Sequence, residues 1–97
     1  MSNEDAIKGI VSARCAREAQ CKNIGPDKEY ADKAACEKKI AADLREDLSP
    51  NDCPRGIVEK ELNECLQSIQ KEECNNPVKK LARVVECRTA ELCLPAE

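Results

Sequence analysis

At 97 residues the chain has room for one domain and not for two. It holds eight Cys and one Tyr but no Phe, Trp or His, and 36% of its residues are charged, for a net charge of −3. This composition excludes an aromatic core, any catalytic or metal constellation built on histidine, and the basic face that nucleic acid demands of its main partner.

The first element is a helix from about Asn3 to Cys21. Ser2 and Asp5 have the S-x-x-D spacing of an N-terminal cap, and Ile7, Val11, Cys15 and Ala19 recur every fourth residue on one face. The stretch Asn23-Ile24-Gly25-Pro26-Asp27 ends it, with glycine as the expected stop and a proline that cannot continue the helix. A second helix is expected from Tyr30 or Asp32 to Leu48, with the stripe Cys36, Ile40, Leu44 and Leu48. The longest loop, from Ser49 to Gly56, carries two prolines.

A third helix is expected from Ile57 to Cys74, its apolar face formed by Val58, Leu62, Cys65, Leu66 and Ile69. Asn76 and Pro77 have the cap and first-position chemistry of a fourth, which carries Val78, Leu81, Val84 and Val85 and ends near Cys87 or Arg88. Thr89 can cap a short further turn that ends at Cys93. No segment alternates apolar and polar residues as a half-buried strand does, so no sheet is expected. The expected fold is all-α: a disulfide-stapled four-helix bundle made of two helical hairpins in a single domain, 1–97.

A core of Ala, Leu, Ile and Val is thin at this size, and small domains with thin cores rely on covalent staples. Eight cysteines, an even number spread along the chain, read as four disulfides and therefore as export to an oxidising compartment. Structural zinc is the competing use of so many cysteines, but the chain has neither a C-x-x-C knuckle nor a histidine.

In an antiparallel hairpin, residues equally far from the turn lie side by side. Cys15 and Cys36 are equidistant from the Gly25–Pro26 turn, and Cys65 and Cys87 from Asn76. Cys53 and Cys93 flank the second turn more widely, which leaves Cys21 and Cys74, each at the C-terminal end of an odd-numbered helix. The pairing 15–36, 21–74, 53–93 and 65–87 follows, with 21–36 plus 15–74 as the nearest rival. Each bond is expected to stabilise by roughly 2–4 kcal/mol, so full reduction should abolish the helical signal.

Candidate chemistry is sparse. With every cysteine paired there is no thiolate nucleophile, and no cofactor or metal motif is present. Asp43 and Asp47, four apart on the second helix, and Tyr30, beside the first turn, are the candidate ligand contacts. A solvated helix face is the plainer reading of the two carboxylates, and packing over the first turn that of the ring. Lys79, Lys80, Arg83 and Arg88 form a modest basic edge, again read first as solvated, as is Glu72-Glu73. Met1 to Asp5 contain no signal-peptide pattern, so the chain reads as a mature domain with an added start methionine.

Several short blocks together resemble a known family: Cys15-Ala-Arg-Glu-Ala-Gln-Cys21, Asn23-Ile-Gly-Pro26, Tyr30-Ala31 and Ala35-Cys36 in the first half. In the second half they are Cys53-Pro-Arg-Gly-Ile57, Leu62 to Cys65, Cys74-Asn-Asn-Pro77, Cys87-Arg-Thr89 and Leu92-Cys93. The chain is similar here to small cysteine-rich myxobacterial lipoproteins of unknown function that accompany natural-product biosynthesis. The resemblance implies an envelope location and a lipid anchor, and it supplies no catalytic residues. The expected function is that of an exported accessory or binding protein that holds a small apolar natural product or a partner protein of the envelope. The alternatives are a cofactor-independent cyclase or isomerase, for which Asp43, Asp47 or Tyr30 would supply the acid, and a secreted effector or structural protein. No nucleic acid partner is expected, and membrane contact only through a lipid anchor.

Overall fold

The structure, a computed structural model, describes residues 1–49, 51, 53–71, 74, 87 and 92–94. Among these the protein is all-α and disulfide-linked, with three helices: α1 (Asn3–Gln20), α2 (Lys33–Asp47) and α3 (Glu59–Lys71). The expected fourth helix, the turn after Thr89 and the basic edge fall outside the described residues.

Local chemistry sets the helix ends. Ser2 caps α1, its hydroxyl accepting from the Asp5 N–H at 3.1 Å, and Asp32 caps α2, accepting from the Ala35 N–H at 2.7 Å. The end of α1 departs from expectation. Its stop is not glycine but Lys22, in the left-handed region at φ 62°. There the Lys22 N–H donates to Ala19 O and the Asn23 N–H to Glu18 O, the paired bonds of a Schellman turn. Gly25, at φ 141°, serves instead in the return loop, where its N–H donates to Tyr30 O and the Tyr30 N–H to Asn23 O.

Helix α1 is the hub and packs against both α2 and α3. It buries Ala6, Ile7, Ile10, Val11 and Cys15, which span roughly half its circumference and not a narrow stripe. The expected Ala19 is exposed, because the part of α1 inside the core stops at Cys15. Helix α2 contributes Cys36, Ile40 and Leu44, followed by Leu48, and α3 contributes Leu62, Cys65 and Ile69. Cys53, Ile57 and Leu92 complete the core.

Helix α3 begins at Glu59 and not at Ile57 because the backbone of Ile57 is committed elsewhere. The Ile57 N–H donates to Met1 O at 2.9 Å, and Ile57 pairs antiparallel with Cys93. On either side, the Val58 N–H donates to Leu92 O and the Leu94 N–H to Gly56 O. Asn3 ties in the preceding loop, its side-chain amide donating to both Leu48 O and Cys53 O at 3.0 Å. Gly56 is required at this crossing: its φ is +91°, and a Cβ would lie 2.7 Å from Met1 O.

Disulfides join Cys15 to Cys36, Cys21 to Cys74, Cys53 to Cys93 and Cys65 to Cys87, with Cα–Cα distances of 5.9, 5.4, 5.3 and 4.8 Å. These are the four pairs expected from the sequence, and the rival pairing 21–36 with 15–74 does not occur. The 65–87 loop nests inside the 53–93 loop, whereas the 21–74 bond crosses each of the other three. Only Cys21–Cys74 therefore links the α1–α2 hairpin covalently to the C-terminal half, apart from the backbone itself.

Candidate functional site

Tyr30 sits where the return loop rejoins the core, its backbone held by Asn23 and Gly25 and its ring packed against the core edge. Burial, then Glu29 and Glu18, hold its phenol above the ordinary value, with Arg14 and Lys39 opposing. The hydroxyl is therefore a protonated donor at neutral pH.

Asp43 lies on the outer face of α2, bonded to Lys39 at 2.9 Å, one helical turn away. That hydrogen bond and the carboxylate charge raise the lysine, but both side chains stand in water, where such pairs contribute little to stability. Asp47 is exposed at the end of α2. The three candidates do not converge on a concave site: Tyr30 edges the core, the two carboxylates face solvent, and none of them lines a groove along α1. Among the described residues no cluster of three or more His, Cys, Asp or Glu could hold a metal ion, and every cysteine is bridged.

The concave features run along α1 instead. The larger is an open trough of about 620 Å³ between α1 and α3. Gly9, Ser12, Ala13 and Ala16 form its α1 wall, and Leu66 and Gln70 its α3 wall. These α1 residues share a face because they are spaced three and four apart, and they are small, so the helix backbone itself is within reach. Gly9 is the unusual member. In mid-helix it costs about 0.5–1 kcal/mol relative to alanine, yet a Cβ there would meet nothing within 4 Å. Nothing among the described residues requires a glycine at this position. Toward the C-terminal end of α1, Arg17 Nη1 donates to Gln20 Oε1 at 2.8 Å, while Arg17 Nε has no acceptor among the described residues.

A second, shallower groove of about 400 Å³ lies between α1 and α2. Ile7 and Val11 lie beneath it, and Lys8, Lys38, Glu37 and Arg45 edge it. Arg45 is drawn aside to Glu4 at 3.1 Å. The mixed charges along this edge leave no strong preference for either sign of ligand.

Sequence reading did not single out the α1–α3 trough. Its signal was available in the run Gly9, Ser12, Ala13, Ala16, on the side of α1 away from the Ile7–Val11–Cys15 stripe. Small residues on a solvent side carry no hydropathy contrast, so a search for apolar periodicity passes over them.

The four cystines indicate an oxidising, extracellular-type compartment, and among the described residues no helix is long and apolar enough to cross a membrane. No curated protein and no solved structure matches the chain. A family match does exist, and its span opens on Cys15 and takes in all eight cysteines. Through this match over residues 15–95, the chain belongs to the family of unknown function DUF6184.

Proposed function

We propose that this chain is an exported binding module of the cell envelope that receives a segment of a partner protein in the α1–α3 trough. The observation that carries this reading is the half-buried mid-helix Gly9 in the wall of a trough of about 620 Å³, where an added Cβ would meet nothing within 4 Å among the described residues. A glycine that no packing among the described residues requires leaves room for a partner to approach the α1 backbone. The trough is open, and beside its small residues it is lined by Leu66, the Arg17 guanidinium and the amides of Gln20 and Gln70. Such a surface suits an extended or helical peptide segment, whereas small apolar molecules are held by enclosure. An envelope location is consistent with the cystines, and the lipoprotein resemblance supports a lipid tether and a role beside natural-product biosynthesis.

A photo-crosslinking residue at Ser12, introduced in the native host envelope, tests this reading. A discrete protein adduct is expected, and it should disappear in a Gly9→Leu variant whose melting temperature is unchanged or raised. No adduct, or one indifferent to Gly9→Leu, would exclude the trough as the binding surface.

A further inference from the structure

We propose that the Cys21–Cys74 cystine is a thiol–disulfide exchange site, opened by an external dithiol while the other three bonds stay closed. Each of the other bonds has at least one partner in the core: Cys15 and Cys36 are both 0% exposed, Cys53 is 1% and Cys65 is 0%. Their partners Cys93 and Cys87 pack against that core. Cys21 and Cys74 belong neither to the core nor to the shell packed against it; Cys21 is half-buried and Cys74 is exposed.

Exchange requires an attacking thiolate to reach a disulfide sulfur, so access separates labile cystines from inert ones. Cys15–Cys36 is closed until the core opens, and Cys53–Cys93 and Cys65–Cys87 each offer only a half-buried residue packed against it, whereas Cys21–Cys74 offers an exposed residue clear of the core.

The reaction balances with a dithiol alone. One thiolate of the reductant attacks Cys74 Sγ, the S–S bond to Cys21 breaks, and Cys21 leaves as a thiolate that takes up a proton. The second thiolate of the reductant then attacks its own sulfur in the mixed disulfide, and Cys74 leaves and is protonated in turn. Two electrons pass to the cystine, and the reductant ends as a disulfide. Cys21 is the C-cap of α1, where the negative end of the helix dipole gives a thiolate no support. Access and not leaving-group stability is therefore what favours exchange here, and the pair is poorly set up to act as a redox catalyst itself.

Opening this bond removes the one cystine that crosses the others and leaves two closed units, the 15–36 loop and the nested 53–93 and 65–87 loops. The α1–α2 hairpin and α3 each keep their own link. Exchange at this bond is independent of what the trough binds.

The test is timed reduction of the native 97-residue protein with dithiothreitol, with alkylation of released thiols and peptide mapping at each point. Cys21 and Cys74 are expected to be labelled together and at least about tenfold faster than any other pair, with the helical circular dichroism retained at that stage. Labelling of all eight cysteines in step, or first opening of 53–93, 65–87 or 15–36, would overturn the proposal. In Cys21→Ser/Cys74→Ser the early phase should vanish and the rates of the other three bonds should persist. A variant in which those three now open at the early rate would also overturn it, because the bond would then be guarding the rest.

Discussion

The two ends of α1 are fastened in different ways. At its N-terminal end one cystine, Cys53–Cys93, lies among converging contacts: the Asn3 amide on two carbonyls, Met1 against Ile57, and 92–94 against 56–58. Buried Leu48, Ile57 and Leu92 fill the space around it. At its C-terminal end the Schellman turn and the Tyr30 loop close on themselves, and α3 is joined there by the more exposed Cys21–Cys74 bond. A cystine among buried contacts shares its role with them, whereas one in water acts mainly on the unfolded chain. The same covalent bond thus means cohesion at one end and tether at the other.

Removing each bond in turn should separate these roles most sharply. Cys53→Ala/Cys93→Ala is expected to cost about 4–5 kcal/mol in urea unfolding, since chain entropy and buried packing are lost together. Cys21→Ser/Cys74→Ser should cost only about 2–3 kcal/mol. The 21–74 separation is the longer, 53 residues against 40, but closure entropy grows so slowly that this adds only about 0.3 kcal/mol. Equal losses would show that burial is not what distinguishes the two ends.

Asparagines give a smaller version of the same contrast. Asn3→Ala removes the amide donor from Leu48 O and leaves Cys53 O with only the long bond from the Gly56 N–H, and should cost about 1–2 kcal/mol. Asn23→Ala removes one bond to the Glu18 side chain and should cost about 0.5 kcal/mol. Chemical-denaturation midpoints of the two variants decide the order.

The smallest effect belongs to Tyr30. Its folded phenol titrates above the ordinary 10.0, so the unfolded chain releases that proton first as pH rises. The contribution is complete below the ordinary value and disappears as pH climbs through the folded one. Tyr30→Phe should therefore flatten the alkaline limb of the stability curve slightly and leave neutral pH almost untouched. An unchanged slope would mean that the ring is solvated in the native state.

What the sequence revealed followed from contrast and symmetry. The stripe Cys36, Ile40, Leu44 and Leu48 was legible because α2 buries one side only. Helix α1 was only half legible. Ile7, Val11 and Cys15 stood out, but Ala6 and Ile10 did not, because a helix that packs against two neighbours has no single apolar face. The pairs 15–36 and 65–87 were legible because each is equidistant from a turn announced by proline with glycine or asparagine, whereas 53–93 followed less tightly and 21–74 only by elimination. The start of α3 was misplaced, since nothing local to Ile57 shows that Met1 and Cys93 occupy its backbone. Lys22 as the stop of α1 was missed for a similar reason: the nearby glycine satisfied the local rule, and the hydrogen bonds to Ala19 and Glu18 chose otherwise. Tyr30, Asp43 and Asp47 drew notice as rare or paired side chains, whereas the trough is marked by side chains that are nearly absent.

Because 21–74 is the one cystine that joins residues on either side of the 36–53 segment, a proteolytic nick anywhere between Cys36 and Cys53 would not release a fragment. The two pieces would migrate as one molecule until that single cystine was cut, and then part. A peptide-bond cut and a thiol would thus have to act together to split the domain, which makes the chain a two-key lock against enzymes in its surroundings.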